Sequence, residues 1–208
     1  AYNNQPNIGL WNLTRLAESL LPLLSEDREA AVESAKAALG KYAGLYATAW
    51  LDGMRTKTGL GSRQDDDRTL INDLMEIMNT HQADFTLTFH QLSGLTIEPA
   101  DSDRDLHDLF SDPGAIGEWT QRWRTRLQAE QSDDAGRQAS MQAANPVFIP
   151  RNHRIEAAIR AAEDHGDFSV FHELHTVLQN PYERQPGAAG YMLPPEPDEV
   201  VHQTFCGT

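Results

Sequence analysis

Apolar residues recur at helical spacing along most of the chain. Ile8, Trp11, Leu13, Leu16, Leu20 and Leu24 follow one another roughly every third or fourth position, the period of one helix face. Leu10, Leu21 and Leu23 widen that face. The pattern predicts a first helix that is buried on several sides. Pro22 should kink or end it near its last turn, because proline has no N–H to give to the helix ladder. Val32, Ala35, Leu39, Tyr42, Tyr46, Ala49 and Trp50 draw a single stripe that predicts one long helix over 27–55. Gly40 and Gly44 lie inside it, each costing about 1 kcal/mol relative to Ala. Their spacing of four implies close approach of a second helix. A transmembrane dimer motif shares this spacing, but the flanks are too polar for it.

Beyond a glycine-containing loop at 58–63, Asp65, Asp66 and Asp67 open a third helix that runs to 78, where their charge complements the helix dipole. Further helices are predicted over 83–92, 103–110, 113–130, 133–143, 150–165 and 168–178. Pro113 suits a first helical position, and Pro99 marks the connector at 94–102. Pro181, Pro186, Pro194, Pro195 and Pro197 forbid continuous helix in the remainder. No segment alternates as a strand would. The fold class is therefore all-α: a helical domain over 1–179, then an extended tail over 180–208 that carries Cys206.

Charge narrows the function classes. The chain of 208 residues holds 31 acidic and 17 basic side chains, a formal charge of −14. Such a surface repels phosphate backbones and anionic membranes, so neither nucleic acid nor membrane is expected as a partner. No apolar run approaches the ~18 residues of a membrane span. No signal peptide is visible, since residues 1–5 are polar. The chain does not begin with Met, which suggests a fragment, although processing would look the same. The single cysteine, Cys206, excludes an internal disulfide framework and makes a reducing compartment the default.

Candidate chemistry is sparse. His172 and His175 flank Glu173 and Leu174. Their spacing of three misses the His-Glu-x-x-His zinc pattern but could still share a metal, and ordinary surface histidines are the plainer reading. Asp65, Asp66 and Asp67 could hold magnesium with a diphosphate, or simply stabilise a helix start. His107 and Asp108, preceded by His81 and His90, form a weak metal dyad. Arg122, Arg124 and Arg126 read as a solvated helix face. No phosphate-cradling glycine loop or nucleophile elbow is present. Cys206 lies too near a terminus for a rigid catalytic shell. These residues describe an acidic helical module with no catalytic, cofactor-binding or metal residue of its own. Two alternatives stay open: an independent helical protein-interaction domain, and a metal-dependent helical hydrolase built on His107, Asp108 or the aspartate cluster.

Several segments together resemble one family. The run from Tyr2, Asn3, Asn4, Gln5 and Pro6 through Trp11, Asn12 and Leu13 to Glu18 is similar to a signature of the selenoprotein O family. Met54 to Leu60 resembles a second block, with Thr58 where leucine is usual. Ala83, Asp84, Phe85 and Thr86 with Phe89, Leu92 and Ser93 resemble a third. Trp119, Arg124, Arg126 and Leu127 fit a fourth. Asn145, Pro146, Arg151 and Asn152, followed by Ala157, Ala158, Gly166, Asp167, Phe168 and Ser169, fit a fifth. Pro150 and His153 depart from the usual residues there.

The resemblance implies a protein-kinase-like fold that binds ATP in inverted orientation and transfers AMP to Ser, Thr or Tyr hydroxyls of other proteins, with Mg or Mn. The family's nucleotide, metal and catalytic residues lie upstream of the Tyr2–Pro6 block and have no counterpart here. The implied role is the rest of a large lobe plus a C-terminal extension, with α-helical residues 8–24 as its buried central helix. Implied partners are the N-terminal kinase-like region of the same protein and its protein substrates. A fragment lacking that region would self-associate. Cys206 matches the family's selenocysteine or cysteine, third from the end, which can form a disulfide with an activation-loop cysteine. That makes it a redox-regulatory residue. The implied location is bacterial cytoplasm, or mitochondria in eukaryotic relatives.

Overall fold

Pro6 sits in the first turn of the first helix, where its missing N–H costs nothing. The computed structural model describes residues 4–130 and 133–203, and all regular structure among them is helical. The chain divides into two compact units, residues 1–54 and residues 55–208.

The first unit contains α1 (Gln5–Leu24), α2 (Arg28–Leu39) and most of α3 (Tyr42–Thr58). Asp27 caps α2 by accepting from the Glu29 N–H at 2.8 Å, and α2 packs along α1. Tyr42 Oη donates to the Pro6 carbonyl at 3.1 Å. A Cβ on Gly9 would lie 2.6 Å from that same oxygen, so Gly9 is the glycine on which this close approach depends.

Three expectations change here. The helix predicted over 27–55 is two helices. Gly40 ends α2, its N–H returning to Lys36 O at 2.9 Å, and Lys41 N–H returns to Ala38 O at 3.2 Å. Glycine is a weak helix former, and the apolar stripe simply resumes beyond the break. Nor do the two glycines mark a helix contact. A Cβ on Gly44 would meet nothing within 4 Å, and one on Gly40 only carbonyls of its own helix. Finally, no residue of α1 is buried. Trp11 is 59% and Leu23 82% exposed, because α2 covers only part of the broad apolar surface. Pro22 lies inside α1 two residues before its end, and Ser25 is extended.

The second unit holds α4 (Asp67–Thr80), α5 (Phe85–Leu92), α6 (Asp103–His107), α7 (Pro113–Gln128), α8 (Asp134–Ala144), α9 (Asn152–His165) and α10 (Ser169–Leu178). Most match the predicted segments with small shifts at their ends. Leu70, Ile71, Leu74 and Met78 form the buried face of α4, which packs on Ile116, Trp119, Trp123 and Leu127 of α7. Trp119 and Trp123 are fully buried with rings stacked at 6.2 Å. Their indole N–H groups donate to Leu70 O and Thr58 O, both at 2.8 Å, so the polar edge of each ring is satisfied inside the core. Gly166 ends α9 in the left-handed region at φ 65°, and Asp167 N–H returns to Ala161 O at 3.0 Å, the usual glycine stop. Beyond α10, Val147 and Phe148 N–H both donate to Pro181 O. Ala188 is buried against Val147, Phe148 and Val177, and a short 3-10 turn spans Ala189–Tyr191.

Candidate functional site

The densest polar arrangement lies at the loop between α3 and α4. Gly59 takes φ 73°, and a Cβ there would fall 2.6 Å from Met141 Sδ and 2.8 Å from Arg137 Cγ, so only glycine fits. Glu130 then grips the loop: its carboxylate accepts from Gly61 N–H at 2.9 Å, Ser62 N–H at 3.0 Å and the Ser62 hydroxyl at 2.8 Å. Arg126 donates to Glu130 at 2.6 Å and to Ser62 O at 2.9 Å. It also donates through Nε to Asp67 Oδ1 at 2.8 Å. Asp67 Oδ2 receives Arg55 Nε at 2.6 Å and Gln64 N–H at 3.0 Å. Asp67 has no exposed surface.

Burial alone would push the Asp67 carboxyl up. The bonds from Arg126, Gln64 N–H and Arg55 outweigh it and hold the group below the ordinary carboxylate range. Glu130 behaves alike: burial raises it, but the Ser62 and Gly61 N–H groups, the Ser62 hydroxyl and Arg126 together lower it. Arg126 is pushed down by burial and, more strongly, up by Asp67 and Glu130.

This geometry corrects two sequence readings. Asp67 is not a plain dipole-stabilising residue but the hub of a buried ion network, and the helix cap Asp66 makes no side-chain capping bond. The arginines of α7 are not one solvated face. Arg122 stays at the surface, bound to Asp73 at 2.5 Å. Arg124 is buried and holds both oxygens of Asp103 at 2.8 Å, while Arg126 turns to Asp67. Residues two apart on a helix point in different directions, so each reaches a different acid. These charges are already bound to one another. Among the described residues, no three or more His, Cys, Asp or Glu side chains gather where a metal could be held.

The second, third and fifth of the segments that carry the family resemblance bind one another. Asp84 caps α5 through Leu87 N–H at 2.8 Å and takes both arms of Arg151, at 2.7 and 3.0 Å. Asn145 Nδ2 donates to Lys57 O at 2.9 Å and Ser93 Oγ at 3.0 Å. Lys57 Nζ answers with bonds to Ala144 O at 3.2 Å and Asn145 Oδ1 at 3.0 Å. It lies over the rings of Phe85 and Phe89, and burial lowers its pKa.

The candidate histidines do not converge. His172 and His175 are exposed on α10; the ring of Phe171 meets His172 edge-on at 5.5 Å and stacks on His175 at 6.1 Å. His81 Nδ1 pairs with Ser111 Oγ at 2.8 Å. His90 meets Arg184 of the tail. His107 ends α6, followed by Asp108 as its cap. Cys206 lies outside the described residues.

Among the described residues, two apolar surfaces remain uncovered. One is the face of α1 with Ile8, Trp11, Leu16 and Leu20 exposed. The other is a groove of about 460 Å³ between α9 and α10, lined by Ile155, Ile159, Phe168, Phe171, Leu174 and Leu178. The groove is missing from the sequence reading. The i, i+4 spacing of Ile155 and Ile159 is a local signal for an apolar face and carries nothing about whether that face is covered.

A family model described as Protein adenylyltransferase SelO matches residues 1–179. The chain is 54% identical over all its 208 residues to Protein nucleotidyltransferase YdiU of Rhodopseudomonas palustris (strain BisB18). It is 51% identical to the protein of that name from Bradyrhizobium diazoefficiens and 50% to that from Rhizobium etli, over the same span. It covers 42%, 42% and 41% of these relatives, so it spans about two-fifths of their length. Among the described residues, no helix is long and apolar enough to cross a membrane.

Proposed function

This chain belongs to the protein adenylyltransferase SelO family, and from that premise we propose that it is the C-terminal structural and regulatory part of an enzyme that transfers AMP from ATP to Ser, Thr or Tyr of proteins. Nucleotide, metal and catalytic residues lie upstream in the same polypeptide, and this part supports them. The reading rests on α1, a helix of 20 residues with a broad apolar surface and no buried residue. A helix of that character needs cover on several sides. The cover is the upstream kinase-like region, and the 42% coverage of the relatives leaves ample chain to supply it. The tail serves regulation, with Cys206 as a redox latch on the catalytic region. The setting is a bacterial cytoplasm.

The test has two arms. Calorimetric titration of ATP with magnesium into the 208-residue chain should give no binding, whereas the separately purified upstream region should bind the chain. Trp11→Glu together with Leu16→Glu should weaken that complex tenfold or more. Saturable nucleotide binding by the chain alone, or an upstream region that ignores it, overturns the reading. The latch is tested by peptide mapping of the oxidised whole protein without reductant, and Cys206 found only as a free thiol removes it.

A further inference from the structure

The segment after α10 is tied to α5 by one unusual bond. Arg184 directs two donors, Nε at 3.3 Å and Nη2 at 3.1 Å, onto the single acceptor His90 Nε2. An arginine has only donors, so Nε2 must carry a lone pair and the imidazole proton must sit on Nδ1. That Nδ1 is buried and has no hydrogen-bond partner. The Nδ1 N–H lacks an acceptor whether the ring is neutral or charged; what a second proton adds is an N–H on Nε2 set against the guanidinium in place of the lone pair.

Among the described residues, no carboxylate is bonded to His90 or Arg184, and Glu183 beside Arg184 is exposed. Lys57 lies over Phe85 and Phe89 on the same helix and is bound to Ala144 O and Asn145 Oδ1. Asp84 and Arg151 hold each other at the start of α5. On α6, which packs against α5, Asp103 is bound to Arg124, Arg104 and Asp105 are exposed, and His107 is half-buried. The charge acting on His90 is that of Arg184.

We propose that His90 and Arg184 form a proton-sensitive clasp that ties the segment 181–192 to α5 only while the imidazole is neutral, adding to the bonds that Pro181 O accepts from Val147 and Phe148 and to the burial of Ala188. Burial first, and then Arg184, lowers the affinity of His90 for a proton. The bond is complete above the ordinary histidine range, about pH 6.5, and weakens as the pH falls below it, because the opened state takes up the proton more readily. The clasp stands on this geometry alone. Its consequence for Cys206, farther along the same tail, rests on the regulatory reading above.

The test is hydrogen exchange on the whole 208-residue chain at pH 7.5 and pH 5, corrected for intrinsic rates. The reporters are the amides of Glu183, Ala188 and Tyr191, which bond to Asn180 O, Gln185 O and Ala188 O. They should exchange roughly tenfold faster at pH 5, the scale expected for losing a bond to a charged donor. His90→Gln keeps a neutral acceptor and should remove the pH dependence, and Arg184→Ala should exchange fast at both values. Equal pH dependence in wild type and His90→Gln overturns the clasp, as does no acceleration in wild type. Nitrogen-15 spectra of His90 in the unmodified chain give a check that needs no variant. At pH 7.5 they should show the proton on Nδ1, and finding it on Nε2 overturns the proposal.

Discussion

Asp67 and Arg126, 59 residues apart, meet at 2.8 Å through Oδ1 and Nε, with the carboxylate wholly enclosed. The same carboxylate holds Arg55 at 2.6 Å. Removing it leaves two guanidinium groups beside each other with little solvent. Asp67→Ala should cost about 3–5 kcal/mol, the usual penalty for breaking one side of a buried pair, read as a lowered denaturant midpoint. A change below 1 kcal/mol would show that the network is dispensable.

Acid should undo the same region. The Asp67, Glu130 and Asp84 carboxyls all lie below their ordinary ranges in the folded chain. In each, bonds to arginine and backbone N–H outweigh the opposing effect of burial. Their contribution is complete above the unfolded values near pH 4 and lost as the pH falls through the folded ones. The part of the stability these carboxylates supply should hold level near neutrality and drop below about pH 4.5. In Glu130→Gln the drop should be shallower, measured by thermal unfolding against pH. An identical acid limb in that variant would remove Glu130 from the account.

Two glycines should respond with opposite sign. Gly59→Ala combines a positive φ with a collision against Met141 and Arg137, a loss of about 2–4 kcal/mol. Gly53 is exposed within α3, and a Cβ there meets nothing within 4 Å. Gly53→Ala should add about 0.5–1 kcal/mol through helix propensity. Chemical denaturation of the two variants side by side checks both signs.

The uncovered face of α1 should make the isolated chain associate with itself, since large exposed apolar patches mark contact sites. Sedimentation should show species larger than monomer that revert toward monomer in Trp11→Glu with Leu16→Glu. A wild-type monomer that binds no apolar-surface dye would contradict this.

Helix positions were largely legible because amphipathic spacing and Gly or Pro stops act locally. Pro113 and Gly166 both fall where spacing places them. The break at Gly40 was not legible, since an apolar stripe keeps its phase across a short turn. The charge network was hidden for a different reason. Nothing in the run Asp65–Asp67 says which acid will be enclosed, and nothing in Arg122, Arg124 and Arg126 says which will turn inward.

The residues that mark the family are mostly joints between helices: Asp84 with Arg151, Asn145 with Lys57 and Ser93. Their identity could be read from the sequence, while their pairing could not. By itself the sequence determined an all-helical chain, its acidic surface and its family, because these follow from periodicity, composition and order of motifs. Tertiary structure alone decided which charges meet, which apolar faces lie open and which histidine accepts from Arg184. Those depend on distances between residues far apart in the chain, and local patterns carry no record of them.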